Sequence, residues 1–231
     1  VFTGYQFGNY YRINQKEGQF DFISPKAGKD EKPLRYNWQT PILLSSHNQD
    51  ILYMGSQFLH RSMNQGKSWE KISEDLTSGA KEGNVAFGTI TTISESKFQF
   101  GLLYTGSDDG KIHVSRDGGV SWQLISSPET SGLPQNLWVS RVVASSHKKE
   151  RVYVTLNGYR NDNFESYVFV SEDFGNTWTA ISNRLSQAVN VIVEDSANEN
   201  ILYVGTDNGL FISIDKGSTW QNFSNGMPQV A

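Results

Sequence analysis

A motif of eight residues occurs four times along the chain and constrains the fold more than any other feature. Each copy reads Ser-x-Asp/Asn-x-Gly-x-Ser/Thr-Trp, and the tryptophans follow one another at intervals of 53, 56 and 42 residues. Such a period is typical of repeats in which each unit forms one four-stranded sheet. The defining residues are Ser62, Asn64, Gly66 and Trp69; Ser115, Asp117, Gly119 and Trp122; Ser171, Asp173, Gly175 and Trp178; and Ser213, Asp215, Gly217 and Trp220.

Short apolar runs surround every copy of the motif. Before the first copy lie Pro41–Ser45 and Ile51–Gly55, and a third run leads into the motif itself. A strand that opens with the motif's Trp follows. These runs are rich in β-branched and aromatic residues, and no helical periodicity is sustained. Each repeat is therefore predicted to be an antiparallel sheet with an inner strand A, then strands B and C, and an outer strand D.

The composition of the motif predicts a structural turn between strands C and D. Asp and Ser side chains accept hydrogen bonds from backbone N–H groups of their own turn. Gly removes a Cβ that would clash. We expect the Trp to lie flat across its own hairpin, where it buries a large apolar area. Asn64 replaces Asp in the first copy but keeps the acceptor oxygen, so that turn should still form.

The four motifs resemble the Asp-box (BNR) repeat of β-propellers, a group that includes sialidases, xyloglucan hydrolases and Vps10/sortilin-like propellers. The segments Tyr36–Pro41, Gly158–Asp162 and Phe7–Tyr10 are most similar to the sortilin-like propellers of exported bacterial proteins, many of which are named glycosyl hydrolases. The resemblance implies an all-β propeller of four-stranded blades and a secreted, periplasmic or cell-surface location. No signal peptide is recognisable in the chain.

The repeat divides the chain into blades of a single propeller over residues 1–231. Four blades are predicted at 38–73, 86–126, 138–182 and 189–224, and a partial blade at 1–23 supplies strands B, C and D. Gly226–Ala231 is predicted to approach another strand A. We expect the chain to be a segment of a larger propeller whose open edges meet the rest of that propeller or a partner chain.

Composition excludes several classes of function. The formal net charge is −4 and no run of basic residues exceeds two, so binding to nucleic acid is not expected. The chain has no cysteine, no apolar stretch long enough to span a bilayer and no recognisable metal or phosphate motif. Neither a metal nor a cofactor is predicted.

Candidate ligand-binding residues lie in the B–C turns and D–A connections, the face on which the resemblance places the sites of Asp-box enzymes. The two tryptophans outside the motifs are each predicted to begin an inner strand, and Asn157–Ser166 is longer than the equivalent turns. Acids from successive blades complete the set. The candidates are Trp38, Asp108, Asp109, Trp138, Arg141, Tyr159, Arg160, Asp162 and Asp207.

Each candidate also has a structural interpretation. Asp-Gly and Asp-Asn are common in tight turns, and the two tryptophans could pack between blades. Three functions follow: a module that binds a glycan or a polypeptide, a glycoside hydrolase acting through paired carboxylates, or a scaffold. A sialidase is excluded because Tyr11-Arg12-Ile13-Asn14 lacks the proline of the sialidase motif and lies on the wrong strand. Catalytic residues are not identified.

Overall fold

Five antiparallel sheets follow one another along the chain, as the repeat predicts. The computed structural model describes residues 1–129 and 131–226. Within that part, the first sheet has three strands and the other four sheets have four each. The one helical element described is a 3₁₀ turn at Tyr159–Asn161. The predicted all-β architecture of four full blades and one partial blade is confirmed.

The strands of each sheet are paired in chain order, from the innermost to the outermost. Sheet 1 contains β1 (Phe2–Tyr5), β2 (Asn9–Asn14) and β3 (Gln19–Phe22); sheet 2 contains β4 (Ile42–Leu44), β5 (Leu52–Gly55), β6 (Leu59–Ser62) and β7 (Glu70–Lys71). Sheet 3 contains β8 (Ile90–Glu95), β9 (Leu103–Ser107), β10 (Ile112–Ser115) and β11 (Gln123–Leu124). Sheet 4 contains β12 (Trp138–Ala144), β13 (Val152–Gly158), β14 (Asn163–Ser171) and β15 (Thr179–Ala180). Sheet 5 contains β16 (Val189–Glu194), β17 (Leu202–Thr206), β18 (Gly209–Ser213) and β19 (Gln221–Asn222).

Sheet 1 consists of strands equivalent to B, C and D of the other sheets. A serine just after the outer strand marks the equivalence. The Ser24 hydroxyl accepts a hydrogen bond from Tyr10 N at 2.9 Å, and Ser73 does the same for Leu59 N at 2.8 Å in sheet 2. In the segment 226–231, which was predicted to approach a further strand, residues 227–231 lie outside the described residues.

The four motifs form the same hydrogen-bonded turn. In the second, Asp117 Oδ1 accepts hydrogen bonds from Ser121 N and Ser115 Oγ, both at 2.9 Å, and Gly119 N donates to Ser115 Oγ at 2.8 Å. Asn64 accepts the equivalent bond from Ser68 N at 2.9 Å, so the first turn forms without an Asp. The predicted use of these side chains within their own turn is confirmed.

We expected the tryptophans of the motifs to lie across their own hairpins, but each donates its indole N–H to the preceding sheet. Trp122 Nε1 donates a hydrogen bond of 2.8 Å to the carbonyl oxygen of Ile72, which directly follows the outer strand of the preceding sheet. We call this contact the Trp–Ile bridge. The rings are half-buried, and each outer strand begins one residue after its Trp. The other bridges join Trp69 to Ile23, Trp178 to Ile125 at 3.0 Å and Trp220 to Ile181 at 2.6 Å.

The same isoleucines explain why the motif requires glycine. A Cβ added to Gly119 would lie 2.8 Å from the Ile72 carbonyl oxygen and 2.9 Å from the Ile72 Cβ. Gly119 also has a φ of 94°, in the left-handed region. Gly66, Gly175 and Gly217 pack in the same way against Ile23, Ile125 and Ile181. The turn of one sheet is therefore fitted against the end of the sheet before it.

Buried tyrosines and glutamates form a second contact between sheets. The Tyr53 hydroxyl donates to Glu95 Oε1 at the end of β8, and the Tyr153 hydroxyl donates to Glu194 Oε1 at the end of β16, each at 2.9 Å. Tyr104 occupies the same position in sheet 3, but β12 ends with Ala144 instead of Glu. As a result, the fully buried Tyr104 hydroxyl has no hydrogen-bond partner among the described residues.

We predict that removing these hydroxyls has unequal effects. Tyr53→Phe and Tyr153→Phe each deprive a buried carboxylate of a donor, so each should lower the free energy of unfolding by about 1–3 kcal/mol. Tyr104→Phe removes a group that lacks a partner, so it should be neutral or stabilising. Urea unfolding of the three variants tests this. An equal loss in all three would contradict the proposed difference.

The hydrogen bonds of the turns also link stability to pH. Donation by Ser121 lowers the pKa of Asp117, and donation by Thr219 lowers that of Asp215, both from an ordinary value of 3.8. Burial raises the pKa of Asp173, but the hydrogen bonds from Thr177, Ser171 and Asn176 together outweigh burial and the pKa is again lowered. A carboxylate with a lowered folded-state pKa stabilises the fold above its unfolded-state pKa, and loses that effect as the pH falls through the folded-state pKa.

We predict that replacing the three turn aspartates by Asn, the residue already present at position 64, makes the loss of stability at acid pH smaller. Wild type and the D117N/D173N/D215N variant should differ in stability above about pH 4 and converge below the lowered pKa values. Thermal unfolding between neutral and strongly acidic pH measures this difference. A constant difference across the whole range would show that these carboxylates do not supply the pH dependence.

Candidate functional site

The loops divide between two faces of the molecule, as the repeat predicted. On one face, the motif turns lie beside the A–B turns: Gln65 N donates to Asp50 O at 2.8 Å. On the other face, B–C turns lie beside D–A connections: Leu76 N donates to Gln57 O at 3.0 Å, and Asp108 N donates to Thr89 O at 3.1 Å. The second face carries the candidate residues. We call it the loop face.

A cavity of about 1010 Å³ lies between the inner strands of sheets 2 to 5 and the strands β1 and β2 of sheet 1. Every sheet contributes to its wall, from Gly4 and Tyr5 in β1 to Asn190 and Val191 in β16. We call it the central cavity. Four of the nine predicted site residues line it, namely Trp38, Trp138, Arg141 and Tyr159.

A β-bulge at the same place in three inner strands builds the polar part of this wall. The bulged residues are Thr91, Ser140 and Asn190. A bulge redirects a side chain out of the regular alternation. Thr91 Oγ1 consequently donates to Val139 O at 2.7 Å, and Ser140 Oγ donates to Val189 O at 3.0 Å, which ties each inner strand to the next.

The long segment Asn157–Ser166 forms an extended hairpin rather than the free loop we expected. Strand β13 runs on to Gly158, β14 begins at Asn163, and only the 3₁₀ turn Tyr159–Asn161 and Asp162 separate them. The sequence from Asn163 continues in pairing with β13, with an irregularity between Leu156 and Gly158. The added residues therefore lengthen β13 and β14, and Tyr159 and Arg160 lie in the turn at the end of this paired hairpin.

Arg160 organises the aromatic groups at the tip of this hairpin. Its guanidinium lies over the Trp138 ring, with Cζ 4.3 Å from the ring centroid. Its Nε donates to the Tyr159 hydroxyl at 3.1 Å, and Nη1 lies 3.7 Å from Asp108 Oδ2. Trp138 and Tyr159 themselves are 6.2 Å apart between ring centroids. Arg160 therefore positions these two rings. Its guanidinium already contacts Trp138, Tyr159 and Asp108.

Trp38 forms a second aromatic platform on the central cavity. It lies four residues before β4, so the prediction that it begins an inner strand is wrong, whereas Trp138 does begin β12. Its ring meets Phe7 of sheet 1 edge-on, at 5.3 Å between centroids, yet the residue remains 58% exposed. Trp38 thus packs at a junction between sheets and still offers a ring surface to a ligand.

The acids do not converge on one point. Asp108 and Asp109 are buried beside a smaller cavity of about 450 Å³, where Trp138 and Arg160 also form part of the wall. Asp108 accepts hydrogen bonds from Thr89 N at 2.9 Å and Thr89 Oγ1 at 3.0 Å. Burial raises its pKa. Asp109 accepts a bond from Ser78 N at 2.5 Å. Both carboxylates brace the surrounding loops.

The other two acids lie apart from this pair. Asp207 accepts a hydrogen bond from Asn190 Nδ2 at 2.7 Å, and Asn190 in turn accepts one from Asn157 Nδ2 at 2.8 Å. Asp162 is exposed, adopts a left-handed backbone conformation after the 3₁₀ turn and lines neither cavity. The four acids therefore do not form a carboxylate pair at one site, and Asp108 and Asp109 fit the structural interpretation as turn residues.

Sequence reasoning missed Asn157 and Asn190, which join the hairpin to β16, the inner strand of sheet 5. A signal was present in the repeat alignment. Thr91, Ser140 and Asn190 are polar residues at equivalent places, one residue after the first apolar residue shared by the three inner strands. A polar residue that recurs at one position of a buried strand indicates a bulge or a polar wall.

Two histidines occupy equivalent A–B turns and contact the next sheet. His47 Nε2 lies 2.8 Å from Ser96 O, and His147 Nε2 lies 2.7 Å from Asp195 O, each in the next sheet. Burial lowers the pKa of His60 and of His113 to about 4.

Residues 1–129 and 131–226 contain no cluster of three or more His, Asp or Glu arranged to hold a metal ion. They also contain no helix that is long and apolar enough to cross a membrane.

Comparison with known proteins identifies the fold. No protein-family model matches the chain, and no curated protein matches it in sequence. Solved structures do match. A GH74 enzyme from Niastella koreensis is 21% identical with a TM-score of 0.65, over 93% of this chain and 34% of that one. The extracellular domain of BT4673 from B. thetaiotaomicron is 15% identical with a TM-score of 0.60, over 100% of this chain and 27% of that one.

A third similar structure is YCF48 bound to D1 peptide. It is 13% identical with a TM-score of 0.55, over 97% of this chain and 69% of that one. This chain thus spans about a third or less of the GH74 enzyme and of the BT4673 domain. At these identities the likeness concerns the fold alone. The five sheets are consecutive blades of a β-propeller, with the inner strands around a central cavity.

Proposed function

We propose that this chain is an extracytoplasmic binding module that holds a glycan in the central cavity, against Trp38 and the Trp138–Tyr159 pair. The observation that carries the proposal is the placement of two separate aromatic platforms on one polar wall. Sugars have apolar ring faces and hydroxyl edges, so they suit aromatic rings beside amide and hydroxyl groups. The extracytoplasmic location is supported by the likeness to an extracellular domain.

The dimensions and charge of the cavity favour an oligosaccharide over a small charged metabolite. Ligand pockets commonly enclose about 300–1,000 Å³, so a volume of about 1010 Å³ is ample for several sugar rings. Arg141 is the one charged side chain among the described residues of the wall. The amide groups of Asn157 and Asn190 supply donors and acceptors for hydroxyl groups.

The same wall argues for binding rather than hydrolysis. Glycoside hydrolysis uses two carboxyl groups on either side of the scissile bond. Among the described residues that line the central cavity, none is Asp or Glu. Asp108 and Asp109 border the smaller cavity instead, and their oxygens already accept hydrogen bonds from Thr89 and Ser78. A hydrolase mechanism that used Asp108 and Asp109 would therefore have to break the hydrogen bonds by which these residues hold the neighbouring loops.

A polypeptide is the second candidate ligand, and one observation favours it. Strand β1 pairs with β2 on one side only within the described structure, and its residues Gly4 and Tyr5 border the central cavity. An extended peptide can add to such an edge through main-chain hydrogen bonds. Trp, Tyr and Arg are also common in protein-binding hot spots. The likeness to YCF48, whose structure contains the D1 peptide, fits this candidate.

We predict that Trp38→Ala and Trp138→Ala each weaken glycan binding at least about tenfold, because each removes one aromatic platform. Soluble β-glucans and xyloglucan are suitable probes, with affinities measured by isothermal titration calorimetry. Arg160→Ala should weaken binding less than Trp138→Ala, because Arg160 acts by positioning the Trp138 ring.

The matched control is Asp117→Ala, which lies on the opposite face in a motif turn. It should retain full affinity while lowering thermal stability. Loss of binding in this control alone, with the fold intact, would place the site on the wrong face. Release of reducing sugar from the probes would overturn the binding module in favour of a hydrolase, and binding of peptides but no glycan would favour the second candidate.

A further inference from the structure

The wall of the central cavity carries an arginine whose charge no acid of the described structure balances. Arg141 lies in β12 and is exposed at the cavity. Neither Asp nor Glu borders the cavity among the described residues, and no ion pair within residues 1–129 and 131–226 includes Arg141. The guanidinium of Arg141 is therefore available to a ligand. The arginines that do pair with acids are Arg12, Arg35, Arg61, Arg151 and Arg160.

The inner strands do not require a charge at this position. Arg141 directly follows the bulged residue of β12 and pairs across the strands with Thr155. The equivalent residues are Thr92 in β8 and Val191 in β16, each of which pairs with a glycine. Both are uncharged, yet their strands form the same bulge within the same kind of sheet. The charge of Arg141 is thus not needed to build the strand.

A local exchange of side chains turns Arg141 toward the cavity. In sheet 3, the Thr92 side chain lies over Gly106, because a Cβ on that glycine would be 2.8 Å from Thr92 Cγ2. In sheet 4, Thr155 takes the place of this glycine; it is fully buried, and its hydroxyl oxygen lies 2.7 Å from Ser140 Oγ. Since Thr155 already fills the space over β13, the side chain of Arg141 borders the central cavity instead.

A carboxylate is the ligand group that Arg141 is suited to bind. Its guanidinium presents a planar fork of N–H donors that matches the two oxygens of a carboxylate. Arg141 lies three residues after Trp138 in β12, which corresponds to at most about 10 Å along the strand. A ring stacked on Trp138 can therefore belong to the same oligosaccharide as a carboxylate that pairs with Arg141. Sugars that carry such a carboxylate are uronic acids.

We propose that the glycan held in the central cavity is acidic, and that the carboxylate of a uronic acid unit pairs with Arg141. The inference rests on the proposed function, because it takes the two aromatic platforms as the site of the sugar rings. A neutral glycan can meet the same platforms but leaves Arg141 without a partner. The ligand carboxylate meets no like charge on the described wall, so the cavity is complementary to one sign of charge.

The test is isothermal titration calorimetry of the full chain with oligosaccharides of polygalacturonate, alginate and hyaluronan, beside neutral xyloglucan oligosaccharides. At least one acidic series should bind at least about tenfold more tightly than the neutral series, and methyl esterification of its carboxylates should remove that preference. Arg141→Gln should reduce the ratio of acidic to neutral affinity to about one. Arg141→Lys should restore part of the ratio, because Lys keeps the charge but lacks the planar fork.

The matched control is Arg184→Gln, which removes the same charge from an exposed residue that does not border the central cavity. It should keep the wild-type ratio of acidic to neutral affinity. Trp138→Ala should instead weaken the binding of both series, because both use the aromatic platforms. Circular dichroism establishes that each variant is folded.

The outcomes separate this inference from the proposed function. Equal or tighter binding of the neutral series by wild type, or an acidic preference that survives Arg141→Gln, would overturn the uronic acid and leave the glycan-binding module standing. Failure to bind any of the oligosaccharides would overturn both. Binding of an oligoglutamate peptide but of no acidic oligosaccharide would also overturn the inference, and would favour the polypeptide candidate.

Discussion

The Trp–Ile bridge is the interaction on which the rest of the structure depends. One indole N–H satisfies a carbonyl at the end of the preceding sheet, and a glycine lets the turn backbone approach the same isoleucine. The distance and angle between neighbouring sheets are therefore set at their outer ends. At the inner strands, the bonds that Thr91 and Ser140 donate to the next strand complete the connection between neighbouring sheets.

The repeat allowed much of the fold to be predicted, because the motif and its flanking apolar runs recur in register. The strand order within each sheet, the role of Asn64 and the three strands of sheet 1 all follow from local pattern and turn chemistry. The direction of the Trp–Ile bridge, from each motif back to the preceding sheet, does not follow from local pattern. A periodic sequence shows that units repeat, but the partner of a half-buried Trp is fixed only when neighbouring sheets pack.

The candidate site was predicted in part, and the division has a physical cause. Trp138 was predicted to begin an inner strand and does so, whereas Trp38 lies four residues before its strand; both rings border the central cavity. Asp108 is different. Whether a carboxylate in a turn faces a ligand or accepts bonds from the neighbouring loop depends on a connection of variable length. Its engagement with Thr89 could not be inferred from the Asp-Asp-Gly sequence.

The serial arrangement of the bridges has a consequence for how the molecule gains and loses structure. Each bridge joins a sheet only to its immediate predecessor, so cohesion is a sum of nearest-neighbour terms along a one-dimensional array. Sheets 2, 3 and 4 are each bridged on both sides, so local opening of any one of them has to break two bridges. The hairpin tip that holds Tyr159 and Arg160 belongs to sheet 4, which is likewise bridged on both sides. Opening of sheet 1 can therefore proceed without disturbing the aromatic groups at that tip, whereas opening of sheet 5 would break the hydrogen bond from Asn157 to Asn190 at the base of the hairpin.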